Sequence, residues 1–245
     1  MKYVSLPGID AVSPSEEGGR SLTFYLAMEE YLARNSSESD LFFMWQVSPS
    51  VIFGRNQVAE NEVNLDYCRQ HGIKVYRRKS GGGCVYADED NLMLSFITSE
   101  QNVGFAFNRL VNMVLLVLHK LGIGATGTTH NDIMIGDRKV CGTACYHVGD
   151  KSIVHSTMLY DTNMHHMLNA ITPATEKLQK KGIASVRQRI TLLKDYTSRS
   201  LDEVKALVRD TLCDGELVLT EEDIIGIEVL EQTYLKEEFI NIIQQ

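Results

Sequence analysis

No run of apolar residues in this chain approaches the ~20 needed to cross a bilayer, so no membrane-spanning segment is expected. The N-terminus, MKYVSLPGIDAVSPSEEGG, lacks a basic stretch followed by an apolar one. It also lacks the Arg-rich, acid-poor character of a transit peptide, which leaves the cytoplasm as the default location. Positive charge is not in excess: 24 Lys and Arg stand against 32 Asp and Glu, a net charge of −8. That argues against non-specific nucleic-acid binding, which rests on clustered basic residues. No CxxC pair occurs. The five cysteines, Cys68, Cys84, Cys141, Cys145 and Cys213, are odd in number and scattered. They form no disulfide framework and suit a reducing compartment. Internal repeats and low-complexity segments are absent as well.

What is present is an ordinary globular composition, 44% hydrophobic over 245 residues. We expect one domain spanning residues 1–245, with a core at about 20–192 and a helical C-terminal segment at about 200–245. Ser21 to Arg34 reads as a helix capped by Ser21, with Leu22, Tyr25, Leu26, Glu29 and Leu32 near one face. Glu29 and Glu30 read there as boundary residues, although a partly buried carboxylate usually has a partner. Leu41–Trp45 and Val51–Phe53 read as strands, the second running into the polar exit Gly54-Arg55-Asn56-Gln57. Leu65 to His71 reads as a short helix closed by Gly72, and Ile73–Tyr76 and Leu92–Ile97 as strands.

Gly104 to Leu121 is the clearest helix, ending at Gly122, and Gly124–Thr129 reads as a loop of small residues. NDIMI and RKVCGTACYHV read as strands of a hairpin turning at Gly136-Asp137, followed by the strand Ser152–Leu159. A short helix capped at Asp161 or Thr162 comes next. Ser200 and Glu203 have capping-box spacing, and TEED at Thr220 opens another helix. Strands occur in adjacent pairs as well as between helices. The expected fold is therefore α+β, with a mixed, largely antiparallel sheet and flanking helices.

The chain is organised around Val75 to Ile97, VYRRKSGGGCVYADEDNLMLSFI. Three consecutive glycines are costly to order and are worth that cost where a ligand must lie against the backbone. Two arginines precede them. Backbone N–H groups and fixed positive charge together suit an anionic ligand. Elsewhere the residues alone favour bland readings. Cys141 and Cys145 with His147 nearby would resemble a metal site on a helix. On a strand, however, residues four apart lie about 13 Å from one another, too far for one zinc ion or a disulfide. Lys139, taken alone, is a solvated hairpin charge. Asp132 and Asn131 are compatible with an Asx turn or, beside a triphosphate, with Asp132 as a magnesium ligand.

RRKSGGGCVYADEDNL resembles the RRxSGGGxVYHDxGN signature of lipoate–protein ligases and related lipoyltransferases. NDI…GDRKVCGTA, HSTMLYDT and KGIASVRQRIT extend the resemblance in order from about Leu22 to about Leu192. It implies a catalytic domain like that of biotin–protein ligases, ATP and Mg²⁺ as cofactors, and lipoic acid as substrate. The implied acceptors are the lipoyl domains of 2-oxoacid dehydrogenases and the glycine cleavage H protein. It implies that Lys139 contacts the carboxyl and phosphate of an acyl-adenylate and acts as the electrostatic catalyst. Arg78, Gly82, Gly83, Cys84, Val85, Tyr86, Asn131 and Asp132 would hold the nucleotide, Asp132 with magnesium. Arg55, Ser80, Gly81, Gly142 and His155 would border the lipoyl pocket, with Gln57 beside Arg55. Gln179 to Gly182 would fold over the adenylate.

Two departures stand out. YHDxGN becomes YADEDN, with Ala87 for His and Asp90 for Gly. The chain also stops at Gln245, where many bacterial members continue into an accessory domain. The expectation is therefore a ligase without that domain. A transferase using preformed lipoyl-adenylate, or one half of a split ligase with an accessory partner, is the alternative. An octanoyltransferase would need a cysteine just before Asn131, where GATGTTH has none. A non-catalytic lipoate-binding protein would not need Lys139.

Overall fold

The structure, a computed structural model, describes residues 1–7, 20–129, 132–171 and 189–240. In chain order the strands are β1 (Lys2–Ser5), β2 (Asp40–Trp45), β3 (Ser50–Phe53), β4 (Lys74–Arg77), β5 (Val85–Ala87), β6 (Asn91–Thr98), β7 (Ala125–Gly127), β8 (Ile133–Ile135), β9 (Arg138–Val148), β10 (Lys151–Leu159) and β11 (Gly215–Val218). The helices are α1 (Leu22–Asn35), α2 (Ala59–Glu62), α3 (Leu65–Gln70), α4 (Val103–Lys120), α5 (Met164–Ala170), α6 (Leu201–Leu212), α7 (Glu221–Leu235) and α8 (Glu237–Ile240). Eight strands form one sheet in the order β11-β1-β2-β6-β10-β9-β8-β7, and β4-β3-β5 form a second, smaller one. Pairing is antiparallel from β2 to β7 and parallel across β11-β1-β2 and β3-β4. The fold is α+β with a largely antiparallel sheet.

The large sheet is covered on both faces, so its central strands are apolar throughout. On β2, Phe42 and Met44 pack with α4 residues Leu110, Val114 and Leu118. Leu41, Phe43 and Trp45 point the other way, to Phe24, Leu26 and Met28 of α1. Each large side chain removed fully from water contributes roughly 1.5–3 kcal/mol, and the two layers together hold the strands flat between helices. By length and composition the 18-residue α4 could cross a membrane. Here its stripe Leu110, Val114, Val117 and Leu118 is buried against the sheet.

Local signals explain most element boundaries. Ser21 caps α1 by accepting from the Phe24 N–H (3.0 Å). Ser200 and Glu203 form the expected capping box of α6, and Thr220 with Asp223 forms another at α7. The cap of α5 is Asn163, not Asp161 or Thr162, because those side chains are committed elsewhere. Asp161 pairs with Lys194, and the Thr162 hydroxyl donates to Asn91. The YADEDN turn closes without its glycine: Asp88 Oδ1 accepts from the Asp90 N–H (3.2 Å), and Asp88 Oδ2 from the Asn163 N–H (2.8 Å).

Four strands escaped the sequence reading, among them β5 at Val85–Ala87 just after the glycines. Ala125–Gly127, expected as loop, is the edge strand β7. The four-residue β1 and β11 pair with each other from opposite ends of the chain. The segment after residue 200 is thus not only helical; β11 adds a strand to the main sheet and α7 lies along α1. The α1–α7 contact is close. A Cβ on Gly226 would stand 2.4 Å from Tyr31 Cε2, and the Tyr31 hydroxyl donates to Asp223 (3.0 Å). In an open helix, glycine to alanine stabilises by about 1 kcal/mol. Gly226→Ala is expected to do the reverse, lowering stability by roughly 1–3 kcal/mol in a denaturant titration, because the Tyr31 ring must leave its place.

Candidate functional site

The small sheet β4-β3-β5 holds the glycine loop. The Arg78 N–H donates to the Phe53 carbonyl (3.0 Å), and the Arg55 N–H donates to the Ser80 carbonyl (2.9 Å). Gly54 permits this proximity, since a Cβ there would meet the Gly82 carbonyl oxygen at 2.3 Å. The loop then wraps around the buried guanidinium of Arg78. Its Nε donates to Ser80 Oγ (3.0 Å), its Nη1 to the Ile52 carbonyl (2.9 Å), and its Nη2 to the Gly81 and Gly83 carbonyls (2.7 and 2.6 Å). Peptide planarity fixes the consequence. With those two carbonyls turned toward Arg78, the N–H groups of Gly82 and Cys84, on the same peptide planes, point away from it. Both residues line the cavity described below. Glycine is required at position 82, because this inward wrapping needs φ of +91° there.

The two arginines do not meet a ligand as free charges. Arg78 is enclosed by carbonyls, and burial lowers its pKa to about 10, with the nearby Cys84 opposing that shift. Arg77 donates through Nη1 to the Arg55 and Gln57 carbonyls (2.6 and 2.9 Å).

Lys139 enters from β9. Its side chain crosses Gly142, where an added Cβ would stand 2.6 Å from Nζ and 2.7 Å from Cε. The ammonium pairs with Asp132 at 2.7 Å. The Thr191 N–H donates to the Lys139 carbonyl (2.9 Å) and keeps the 190–191 segment beside it.

Arg78, Lys139 and His155 border a cavity of about 210 Å³. Leu26, Trp45, Ile52, Met93, Leu159 and Met167 form its apolar wall. His155 is fixed from both sides. Its Nδ1 lies 3.0 Å from Glu29 Oε2, and its Nε2 lies 2.7 Å from Ser80 Oγ. Ser95 donates to Glu29 Oε1 (2.5 Å), and Trp45 Nε1 donates to Ser95 Oγ (2.8 Å). A carboxylate only accepts, so Nδ1 carries the proton. Ser80 Oγ also accepts from Arg78, so the loop and the imidazole meet at one hydroxyl.

Most residues singled out from sequence converge here: Arg78, Gly82, Gly83, Cys84, Val85, Tyr86, Lys139, Gly142 and His155 all line the cavity. Ser80 is fully buried behind the wall and acts on His155, and Gly81 gives its carbonyl to Arg78. Asp132 stands beside Lys139, while Asn131 and Gln179 to Gly182 lie outside the described residues. Arg55 is exposed and does not line the cavity; its backbone N–H, not its side chain, meets the loop. Gln57 turns inward to its own turn, accepting from the Gly54 N–H (2.7 Å). Glu29 is a correction: it is no boundary residue but fully buried under His155. Its place on the apolar side of α1 was the available signal. Trp45 and Ile190 carried none beyond apolarity.

The cysteine chemistry is equally plain. Burial pushes the Cys84 thiol up to about 12, against the lowering effect of Arg78, and the Cys141 thiol also to about 12. Both are protonated near neutrality and are poor nucleophiles. Cys141 and Cys145 lie on strand β9, which rules out a shared metal between them. No group of three metal-binding side chains occurs among the described residues.

The family model for the lipoyl protein ligase A/B catalytic domain matches residues 21–213. Lipoate–protein ligase 1 of Staphylococcus aureus is 35% identical over 216 residues, covering 85% of this chain and 66% of its own. The chain spans about half to two thirds of the length of the curated relatives it matches. Among solved structures, a chain from the bi-partite lipoate protein ligase and E2 lipoyl domain of Thermoplasma acidophilum superposes with a TM-score of 0.86 at 26% identity. That match covers 100% of this chain and 97% of the other. A lipoate-protein ligase A bound with ATP gives 0.77 at 27% identity, covering 89% and 92%.

The Gly142 geometry makes a prediction of its own. The atoms an added Cβ would strike are the end of a flexible side chain, so Gly142→Ala should cost no more than ~1 kcal/mol of stability. It should nevertheless expel the Lys139 ammonium from its place and break the pair with Asp132. A crystal structure of the variant checks this; Lys139 found where the parent has it would refute the cradle.

Proposed function

The chain belongs to the lipoyl protein ligase A/B catalytic-domain family, and on that premise we propose that it attaches lipoate to a lysine of lipoyl domains through a lipoyl-adenylate. The observation that carries the reading is the position of Lys139, stretched over Gly142 between the glycine loop and the apolar cavity. The cavity wall of Leu26, Trp45, Met93 and Leu159 suits an aliphatic chain ending in a dithiolane. The N–H groups of Gly82 and Cys84 suit phosphate oxygens.

In the first half-reaction a lipoate carboxylate oxygen attacks the α-phosphorus of ATP. Pyrophosphate leaves with the electron pair of the broken P–O bond. Two anions must approach one another, and the Lys139 ammonium would offset their repulsion. In the second, the acceptor lysine amine attacks the carbonyl carbon of the mixed anhydride. AMP departs, the amine loses a proton, and an amide remains. Negative charge grows on the carbonyl oxygen during that attack, and a fixed ammonium stabilises it without any covalent enzyme intermediate.

Magnesium would be held by Asp132 together with phosphate oxygens, since such sites take one or two protein carboxylates. It would supply charge neutralisation to the triphosphate. Lipoyl domains of 2-oxoacid dehydrogenases and the glycine cleavage H protein are the proposed acceptors, and the cytoplasm, where five free thiols stay reduced, the proposed location. One observation favours a second form of this reading. The chain matches, nearly end to end, a chain from a ligase described as bi-partite. The protein then contributes the transfer half-reaction and takes its adenylate from an activating partner.

Incubation with a lipoyl domain, read by intact mass, tests both forms. Modification with lipoate, ATP and Mg²⁺ supports the self-sufficient ligase. Modification with lipoyl-adenylate alone supports the split form. Failure in both arms overturns the proposal. Lys139→Ala is expected to lower transfer from lipoyl-adenylate by about 10²–10³-fold, the usual effect of deleting one transition-state donor.

A further inference from the structure

Three consecutive basic residues lead into the glycine loop, and each is held by a different part of the molecule. Arg78 is enclosed by the loop itself. The residues on either side of it are held in part from the C-terminal helices, which lie outside the 21–213 region shared with the family. Arg77 Nε donates to the Ile240 carbonyl at the end of α8 (3.1 Å), while its Nη1 holds the Arg55 and Gln57 carbonyls. Lys79 Nζ pairs with Glu30 Oε2 (2.5 Å) and lies over the Tyr234 ring of α7, 4.7 Å from its centroid. The Tyr234 hydroxyl donates to the same Glu30 oxygen (3.0 Å) and lies 3.3 Å from the Leu26 carbonyl.

Glu30 is nearly inaccessible, and Arg34 shares it at 2.7 Å. Burial alone would raise its pKa, but the bonds from Lys79, Arg34 and Tyr234 hold it below the ordinary value. Tyr234 itself is buried with Phe239 edge-on against it. A buried carboxylate with three donors and an aromatic lid is a rigid anchor, not a surface ion pair.

The geometry points to α7 and α8 as a positioning element of the nucleotide loop, with Tyr234 and Glu30 as positioning residues that act through Lys79. They touch no substrate. They fix the backbone at 77 and 79, and so fix where the Arg78 guanidinium sits. Arg78 in turn decides which way the Gly82 and Cys84 N–H groups point. The inference rests on the reading of that loop as the phosphate-binding element.

Tyr234→Phe keeps the ring and removes only the hydroxyl. Glu30→Gln keeps the shape and removes the charge that holds Lys79. Arg20→Ala serves as a control, because Arg20 joins α7 through Glu228, near the middle of that helix, and not through Tyr234, Glu30 or Lys79. Amide hydrogen exchange of peptides covering 77–86 is read without ligand, and KM for ATP is read separately from KM for lipoate and from kcat. Both variants should raise exchange in 77–86 by about tenfold over the control, with peptides of α4 and β9 unchanged. They should raise KM for ATP by about tenfold while kcat and KM for lipoate stay within about twofold. Loop exchange that stays at the wild-type level, or rises only with the whole molecule, overturns the inference; so does a loosened loop with unchanged KM for ATP. If the wild-type protein transfers no lipoyl group, it is the catalytic reading that fails. The exchange measurement, with ATP affinity taken by calorimetry in place of KM, still decides this one.

Discussion

A buried hydrogen-bonded line runs through the molecule: Trp45, Ser95, Glu29, His155, Ser80, Arg78. It crosses from the central sheet to α1, back to β10, and out to the glycine loop. Every other feature of the cavity is arranged around it. A carboxylate with no solvent contact survives only if its acceptor sites are filled, and removing one member of such a pair typically costs about 3–5 kcal/mol. The constraint is therefore strict. α1 must present Glu29 inward, β6 must place Ser95 beneath it, and the loop must bring Ser80 to the imidazole. The side of His155 that the cavity sees is set by Glu29 and Ser80, neither of which lines the cavity.

The positive charge around the loop is largely used internally. The guanidinium groups of Arg77 and Arg78 turn carbonyl oxygens inward, and Lys79 answers a buried carboxylate. What faces the cavity besides is the outer side of those peptides together with the ammonium of Lys139, which pairs with Asp132. This division separates two jobs. Buried charges define backbone direction at fixed geometry, and a half-exposed lysine supplies charge where it changes during reaction.

Much of this was legible in the sequence. The glycine loop, the hairpin carrying Lys139, the strand carrying His155 and the caps at Ser21, Ser200 and Thr220 all have local causes: a special backbone conformation, an alternating pattern, or a side chain that can reach its own helix. The failures share the opposite property. Glu29 looked like a boundary residue because its partners, Ser95 and His155, are 66 and 126 positions away. β1 and β11 are too short to announce themselves, and β11 has only β1, more than 200 residues distant, to pair with. Asp161 and Thr162 are good caps by composition and lost the role to Asn163 through bonds made in three dimensions.

The parallel pairing of Lys2–Ser5 with Gly215–Val218 has a consequence in time as well as in space. A ribosome releases the first strand long before it makes the second, at roughly 5–20 residues per second. Until residue 218 emerges, β1 has β2 on one side and an open edge on the other, and α1 has no α7 against it. Non-local pairings of this kind are the slow part of folding, since loop closure must precede the contacts that reward it. The apolar faces of α1 and β1 are accordingly the surfaces a nascent chain leaves uncovered longest. The sheet is sealed last, by the same stretch that brings Tyr234 to the glycine loop.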